Sequence, residues 1–255
     1  MATLGNPITV PLPAWVAAGR AALLPKLESH LALVLRGAWS ARRCTTAVRR
    51  VLSAEAQWTA DFDGEQFALG RAFYTHLETG RASDYFRDAA ASDALVESVL
   101  PGMQANLRAW AASVVGAPVR PRAGWCGAGV HVFPARGEVA ELGGVVHFDT
   151  EGLTPHQLAT GARALSLVLV LQPAHMGGGL RLWDVRYAGH DHPTRQEIAA
   201  PSARLDYRAG DLVVFDSRRL HQIEAFGGAV PRISITLHAV EVDRSASAPQ
   251  WECWF

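Results

Sequence analysis

The period of apolar and polar positions changes near Gly127. Beyond it, short apolar runs at 129–133, 144–149, 165–171, 180–186, 204–207, 211–215, 222–225 and 232–242 are separated by Gly, Pro and Asp. Runs of this length between turn formers read as strands, and eight of them suit a jelly roll. Gly177-Gly178-Gly179 and Arg208-Ala209-Gly210-Asp211 supply turn chemistry between neighbouring runs. From Arg232 to Val240 the alternation is strict, so Arg232, Ser234, Thr236 and His238 fall on one face of a strand.

Before Gly127 the spacing is helical. Pro25 suits the first turn of a helix with the stripe Leu24, Leu27, Leu31 and Val34, and Ala-rich sequence continues from Ala47 to Ala56. Arg42, Arg43, Arg49 and Arg50 read as a solvated helix face. Asp61-Phe62-Asp63-Gly64 breaks the pattern as a turn, and the stretch from Gly70 to His76 fits helix and strand equally. A second helical block opens at Ser92 and is kinked or divided at Pro101. It continues through Met103, Leu107, Trp110 or Ala111, and Val114, and Gly116 with Pro118 closes it. This Met and Trp stripe is expected to pack on the outside of a sheet.

Chemistry enters at Val145-Val146-His147-Phe148-Asp149, where an imidazole and a carboxylate stand two residues apart and, on a strand, face the same way. With His221 they supply two neutral nitrogens and one anionic oxygen, the facial set that suits non-haem iron(II). Arg232 and Ser234 sit on the interior face of a core strand. A cation there is costly unless an anion meets it, and a guanidinium fork fits a carboxylate.

These residues resemble the iron(II)/2-oxoglutarate-dependent dioxygenases, whose motif of His-x-Asp, a distal His and Arg-x-Ser reads here as His147-Phe148-Asp149, His221 and Arg232-Ile233-Ser234. The resemblance covers about residues 125 to 242. It implies that His147, Asp149 and His221 hold Fe(II), that Arg232 and Ser234 bind the distal carboxylate of 2-oxoglutarate, and that O2 is consumed with release of succinate and CO2. The fold it implies is α+β with a mainly β core, a double-stranded β-helix with N-terminal helices packed outside. One oxygenase domain over 1–255 is expected: helical support and lid to 120, jelly roll over 121–242, and an aromatic tail from 243. Hydroxylation of an unactivated C–H bond in a small polar molecule, a free amino acid or derivative, is the expected reaction. Desaturation or cyclisation, a zinc hydrolase and a non-catalytic cupin-like binder stay open beside it.

Further substrate contacts are sought at Arg71, as a cation for an amino-acid carboxylate, at Thr236 and His238, and at His131, which on the interior face would contact substrate or 2-oxoglutarate. His131 serves equally as a hydrogen-bonded core histidine. His190 and His192 belong to an exposed loop and His175 to a turn. The linker-like stretch 245–250 ends in Trp251-Glu252-Cys253-Trp254-Phe255, whose aromatics either dock on the core, cap the pocket with Trp251 and Trp254, or meet a second subunit in a homodimer.

Composition narrows the partners. With 24 basic and 24 acidic side chains the formal charge is zero, which offers no bulk attraction to nucleic acid or an anionic membrane. About half the residues are apolar, enough for a sizeable core, yet no run reaches the length of a membrane span. Cys44, Cys126 and Cys253 are few and odd in number, and no signal-peptide pattern opens the chain. A reducing, cytoplasmic setting is the expectation.

Overall fold

Strand parity sorts the side chains of this protein between two environments. The computed structural model describes residues 5–11, 23–243 and 249–255. In chain order the elements are β1 (Ile8–Pro11), α1 (Leu24–Glu28), β2 (Leu33–Arg36), α2 (Ala41–Ser53), β3 (Thr59–Asp61), β4 (Gln66–Leu69), α3 (Phe73–Glu78), α4 (Ala82–Val99), α5 (Met103–Val115), β5 (Val119–Pro121), β6 (Gly129–Phe133) and α6 (Glu138–Leu142). They continue with α7 (Pro155–Thr160), β7 (Ala164–Gln172), β8 (Met176–Gly177), β9 (Leu180–Arg186), α8 (Arg195–Ile198), β10 (Ser202–Leu205), β11 (Leu212–Asp216), β12 (Arg219–Ile223), β13 (Phe226–Gly227), β14 (Arg232–Asp243) and β15 (Gln250–Trp254).

The larger sheet has the order β1-β2-β11-β7-β14-β6-β4-β3, with β15 joined to β14 and to β5. A three-stranded sheet, β10-β9-β12, and the pair β13-β8 complete the set. This mixed, sheet-rich core fits a double-stranded β-helix.

On β7, β14, β6, β11 and β15, every second residue enters the main apolar core: Leu165, Leu167, Leu169 and Leu171; Ile233, Ile235, Leu237 and Ala239; Val130 and Val132; Leu212 and Val214; Trp251 and Cys253. Helix residues Cys44, Ala47, Val48 and Val51 of α2 and Met103, Leu107, Ala111 and Val114 of α5 belong to the same core. α2 begins where the Ser40 hydroxyl accepts from the Arg43 N–H at 3.3 Å, a side-chain N-cap. The intervening strand positions face the roll interior. Val213 and Phe215 meet Leu180, Leu182 and Leu205 of the smaller sheet there.

Several expectations are corrected. The run 144–149 is not a continuous strand: it meets β12 through the His147–His221 bridge and a few further contacts. Leu31 and Val34 do not extend a helix, because α1 ends at Glu28 and Val34 lies in β2. The second helical block opens at Ala82, ten residues before Ser92, and ends at Val99. Gly102, in the left-handed region at φ 71°, then starts α5 past Pro101. The undecided stretch 70–76 runs into α3, and the turn at Asp61–Gly64 joins β3 to β4, with φ of 50° at Phe62 and 54° at Asp63.

Residues 244–248 of the expected linker lie outside the described residues, as do 1–4 and 12–22 at the N-terminal end. The aromatic tail docks on its own chain as β15. By parity Trp251 joins the helix-side core, away from the roll interior that it was expected to cap, while Trp254 faces inward.

Candidate active site

The segment before Asp149 is held against β12 by backbone hydrogen bonds. Gly144 N–H donates to Ile223 at 2.9 Å, His147 and His221 exchange bonds of 3.0 Å, and Asp149 N–H donates to Ser217 at 2.8 Å. Reciprocal pairing sets His147 and His221 directly opposite each other, with ring centroids 4.2 Å apart. Asp149 Oδ1 lies 3.3 Å from His147 Nε2 and 3.5 Å from His221 Nε2.

Both imidazoles are oriented from behind. His147 Nδ1 meets the Val145 carbonyl at 2.8 Å and His221 Nδ1 meets the Arg219 carbonyl at 2.8 Å. Each carbonyl takes an N–H from Nδ1 and leaves the Nε2 lone pair turned toward the carboxylate. Ser166 Oγ donates to Asp149 Oδ2 at 2.5 Å and contacts Ser217 Oγ at 2.9 Å and His238 Nδ1 at 3.2 Å.

Electrostatics match a cation site. Desolvation opposes charge on His147, but the Asp149 carboxylate outweighs it and pushes the imidazole up to about 9. Burial likewise opposes ionisation of Asp149, and the charge interaction with His221, together with hydrogen bonds to both imidazoles, holds it well below the carboxylate range. A cation placed between these groups would meet the same favourable field that raises His147 and lowers Asp149. The ligand atoms of His147, Asp149 and His221 all lie within 4.8 Å of one another, so two nitrogens and one oxygen fit a divalent iron.

Arg232 is 2% exposed and forms no ion pair among the described residues. Its Nε donates to Tyr207 Oη at 2.9 Å and a terminal nitrogen donates to Ser234 Oγ at 3.3 Å. The guanidinium stands 5.5 Å from the Phe133 and Tyr207 ring centres. Ser234 pairs with His131 across β14 and β6, so His131 shares the inward face. Thr236 and His238 continue that face, and Trp254 lies 5.8 Å from His238.

Arg71 is already engaged. It pairs with Asp88 at 2.8 Å and contacts His76 Nε2 at 3.0 Å, so it does not stand free for a substrate carboxylate. His190 and His192 are exposed, as is His175, and none of them joins the metal cluster. The sequence reading missed Ser166 and Tyr207. Ser166 carried a signal, a lone hydroxyl inside the run Leu165 to Leu171; Tyr207 carried none, because its role depends on a partner 25 residues away. Glu151 was missed too; burial, and then the charge of Asp149, push it up to about 7.

A jelly roll with two imidazoles and one carboxylate converging at its interior is the architecture of a non-haem iron oxygenase. Residues 139–239 match the family model described as the 2OG-Fe(II) oxygenase superfamily. No curated protein matches the chain. Among solved structures, the epimerase SnoN in complex with Fe3+, alpha ketoglutarate and nogalamycin RO aligns at TM-score 0.57 and 16% identity, over 88% of this chain and 82% of that one. A second SnoN structure, described as a non-heme alpha ketoglutarate dependent epimerase from nogalamycin biosynthesis, aligns at 0.55 and 16% identity, over 89% and 82%. A Pseudomonas putida prolyl-4-hydroxylase aligns at 0.43 and 16% identity, over 87% and 97%. At these identities the structures bear on fold alone. Over residues 139–239 the chain carries a 2OG-Fe(II) oxygenase domain, the mark of a non-haem enzyme class whose members use Fe(II), 2-oxoglutarate and O2.

Proposed function

We propose that His147, Asp149 and His221 hold Fe(II), that Arg232 and Ser234 hold the distal carboxylate of 2-oxoglutarate, and that the enzyme hydroxylates an unactivated C–H bond of a small polar molecule. One observation carries the reading: two Nε2 atoms and one carboxylate oxygen converge in a fold that also holds a buried guanidinium with hydroxyl partners and, among the described residues, no carboxylate partner. Iron with its cosubstrate supplies the oxygen chemistry when bound. The chain's own residues orient and exclude. Val145 and Arg219 carbonyls fix the imidazole tautomers, Ser166 holds Asp149, and Tyr207 with Ser234 aims Arg232.

The roll and the helices packed on it would act as one oxygenase unit, and the three buried free thiols support a reducing, cytoplasmic setting. A free amino acid or derivative is the substrate class that the helix-plus-roll layout suggests. Since Asp88 occupies Arg71, recognition of that substrate would fall to the inward polar face of Thr236 and His238. A zinc hydrolase built on the same three ligands would leave Arg232 without a role.

Anaerobic loading with Fe(II), followed by succinate detection across a panel of small polar metabolites, tests the reading. Succinate should form in the wild type. His147→Ala, Asp149→Ala and His221→Ala should each lose tight Fe(II) binding, while His190→Ala and His192→Ala should be silent. Bound iron with no succinate from any metabolite would leave a cupin-like binder. Under oxygen-18 gas the expected product is heavier by one oxygen; a product lighter by two hydrogens means desaturation or ring closure, and an isobaric product means epimerisation.

A further inference from the structure

A buried chain of hydrogen bonds fixes the direction in which His131 can donate. Tyr74 is half-buried, and desolvation pushes its phenol above the usual range, so it keeps its proton. Tyr74 Oη donates to Gln66 Oε1 at 2.6 Å, a length typical of O–H···O and short for N–H···O, which favours oxygen at that end of the amide. The amide nitrogen then faces His131 Nδ1 at 3.0 Å and donates to it. A neutral imidazole carries one N–H, and with Nδ1 accepting, that proton must sit on Nε2.

His131 is 6% exposed, and its Nε2 has no hydrogen-bond partner among the described residues. The rings of Phe255, Tyr74 and Phe133 surround it, with centroids 4.8, 5.7 and 5.9 Å away. Nε2 itself is not sealed off from its surroundings, so an acceptor carried by a ligand can reach it. The acceptor is identified by the neighbours. His131 stands opposite Ser234 on the inward face, and Ser234 Oγ accepts from Arg232, whose guanidinium also lacks an anion. Among the described residues no carboxylate hydrogen-bonds or pairs with these donors from two strands, which points to a carboxylate carried by a ligand.

We infer that His131 is a positioning residue whose Nε2–H donates to the distal carboxylate of 2-oxoglutarate alongside Arg232 and Ser234, and that Tyr74 and Gln66 fix its proton for that purpose. This rests on the cosubstrate reading above. It gives the cosubstrate pocket a third anchor from β6, oriented by side chains of β4 and α3.

The test is calorimetric and needs no turnover. Binding of 2-oxoglutarate is measured without oxygen, with Mn(II) in place of iron, and compared with binding of 2-oxobutanoate, which lacks the distal carboxylate. His131→Leu should weaken 2-oxoglutarate by on the order of 10- to 100-fold, the range for a charge-assisted hydrogen bond. Mn(II) and 2-oxobutanoate should bind His131→Leu within about threefold of wild type, and His131→Gln, which keeps a donor near the Nε2 position, should recover most of the loss. Tyr74→Phe should weaken 2-oxoglutarate selectively by a smaller factor, and it carries the test if His131→Leu fails to fold. Nitrogen-15 NMR of the wild type should report the Nε2–H tautomer. Unchanged 2-oxoglutarate affinity in folded His131→Leu, equal losses for both ligands, or an Nδ1–H tautomer would each overturn the assignment of His131. Failure of the wild type to bind 2-oxoglutarate would overturn the cosubstrate reading itself.

Discussion

His131 shows how a single residue can be tuned against protonation. Burial, and then the charges of His238 and Arg232, push its imidazole down from 6.5 to about 3. Between those values the unfolded chain binds a proton that the native state refuses, so stability is full above pH 6.5 and falls as pH drops toward 3, by at most about 1.4 kcal/mol per pH unit. Urea unfolding at pH 7 and pH 5 should show wild type losing on the order of 1–2 kcal/mol more than His131→Gln. Equal losses would mean that His131 is protonated in the native state. The sequence exposed the motif residues His147, Asp149, His221, Arg232 and Ser234 because local spacing and period carry them. It could not expose the role of Gln66, whose partner lies 65 residues away, and it left Ser166 as a lone hydroxyl in an apolar run whose partner Asp149, 17 residues away, only the fold brings near. Arg71 misled for the same reason: it stands in the loop before α3, and the Asp88 that neutralises it is on α4.

At the scale of the element, parity was readable and pairing was not. Strict alternation in 232–240 sorted its polar face correctly, and the ranges 129–133 and 180–186 were recovered to the residue. Short strands in the N-terminal third were lost, because Leu33-Val34-Leu35 is an apolar run too brief to be told from a helical stripe by periodicity. The C-terminal strand was legible as aromatic but not as a strand, since β15 gains its place by pairing with β14 and β5. Its last residue fits a notch: a Cβ built on Gly129 would come within 2.0 Å of the Phe255 ring. Phe255 is otherwise held by the Phe73 N–H at 3.0 Å and the Tyr85 hydroxyl at 2.9 Å, both donating to its carbonyl. Gly129→Ala should therefore cost about 1–3 kcal/mol through overpacking and increase hydrogen exchange at 126 and 255. A neutral substitution would show that the ring has room to move.

At the scale of the whole molecule, the proposed ligands draw on both sheets. His221 belongs to the smaller sheet, and His147 and Asp149 are tied to its β12, whereas Arg232 and Ser234 belong to the larger sheet. Asp149 already spans the gap through Ser166 on β7. The charge balance of the chain is neutral, and no helix among the described residues is long and apolar enough to cross a membrane. Binding should then couple the sheets in a fixed order. A metal ion at about 100 times its Kd stabilises a native site by about 2.7 kcal/mol through mass action. Mn(II) alone should raise the unfolding temperature under nitrogen, and 2-oxoglutarate should add a second rise only when Mn(II) is present, because it would bridge the metal and Arg232. Asp149→Ala should lose both rises. Arg232→Lys keeps the charge but loses the planar fork, so it should retain the first rise and require on the order of 10- to 100-fold more 2-oxoglutarate for the second. A full 2-oxoglutarate rise without metal, or a second rise unaffected by Arg232→Lys, would show that the cosubstrate does not span the two sheets.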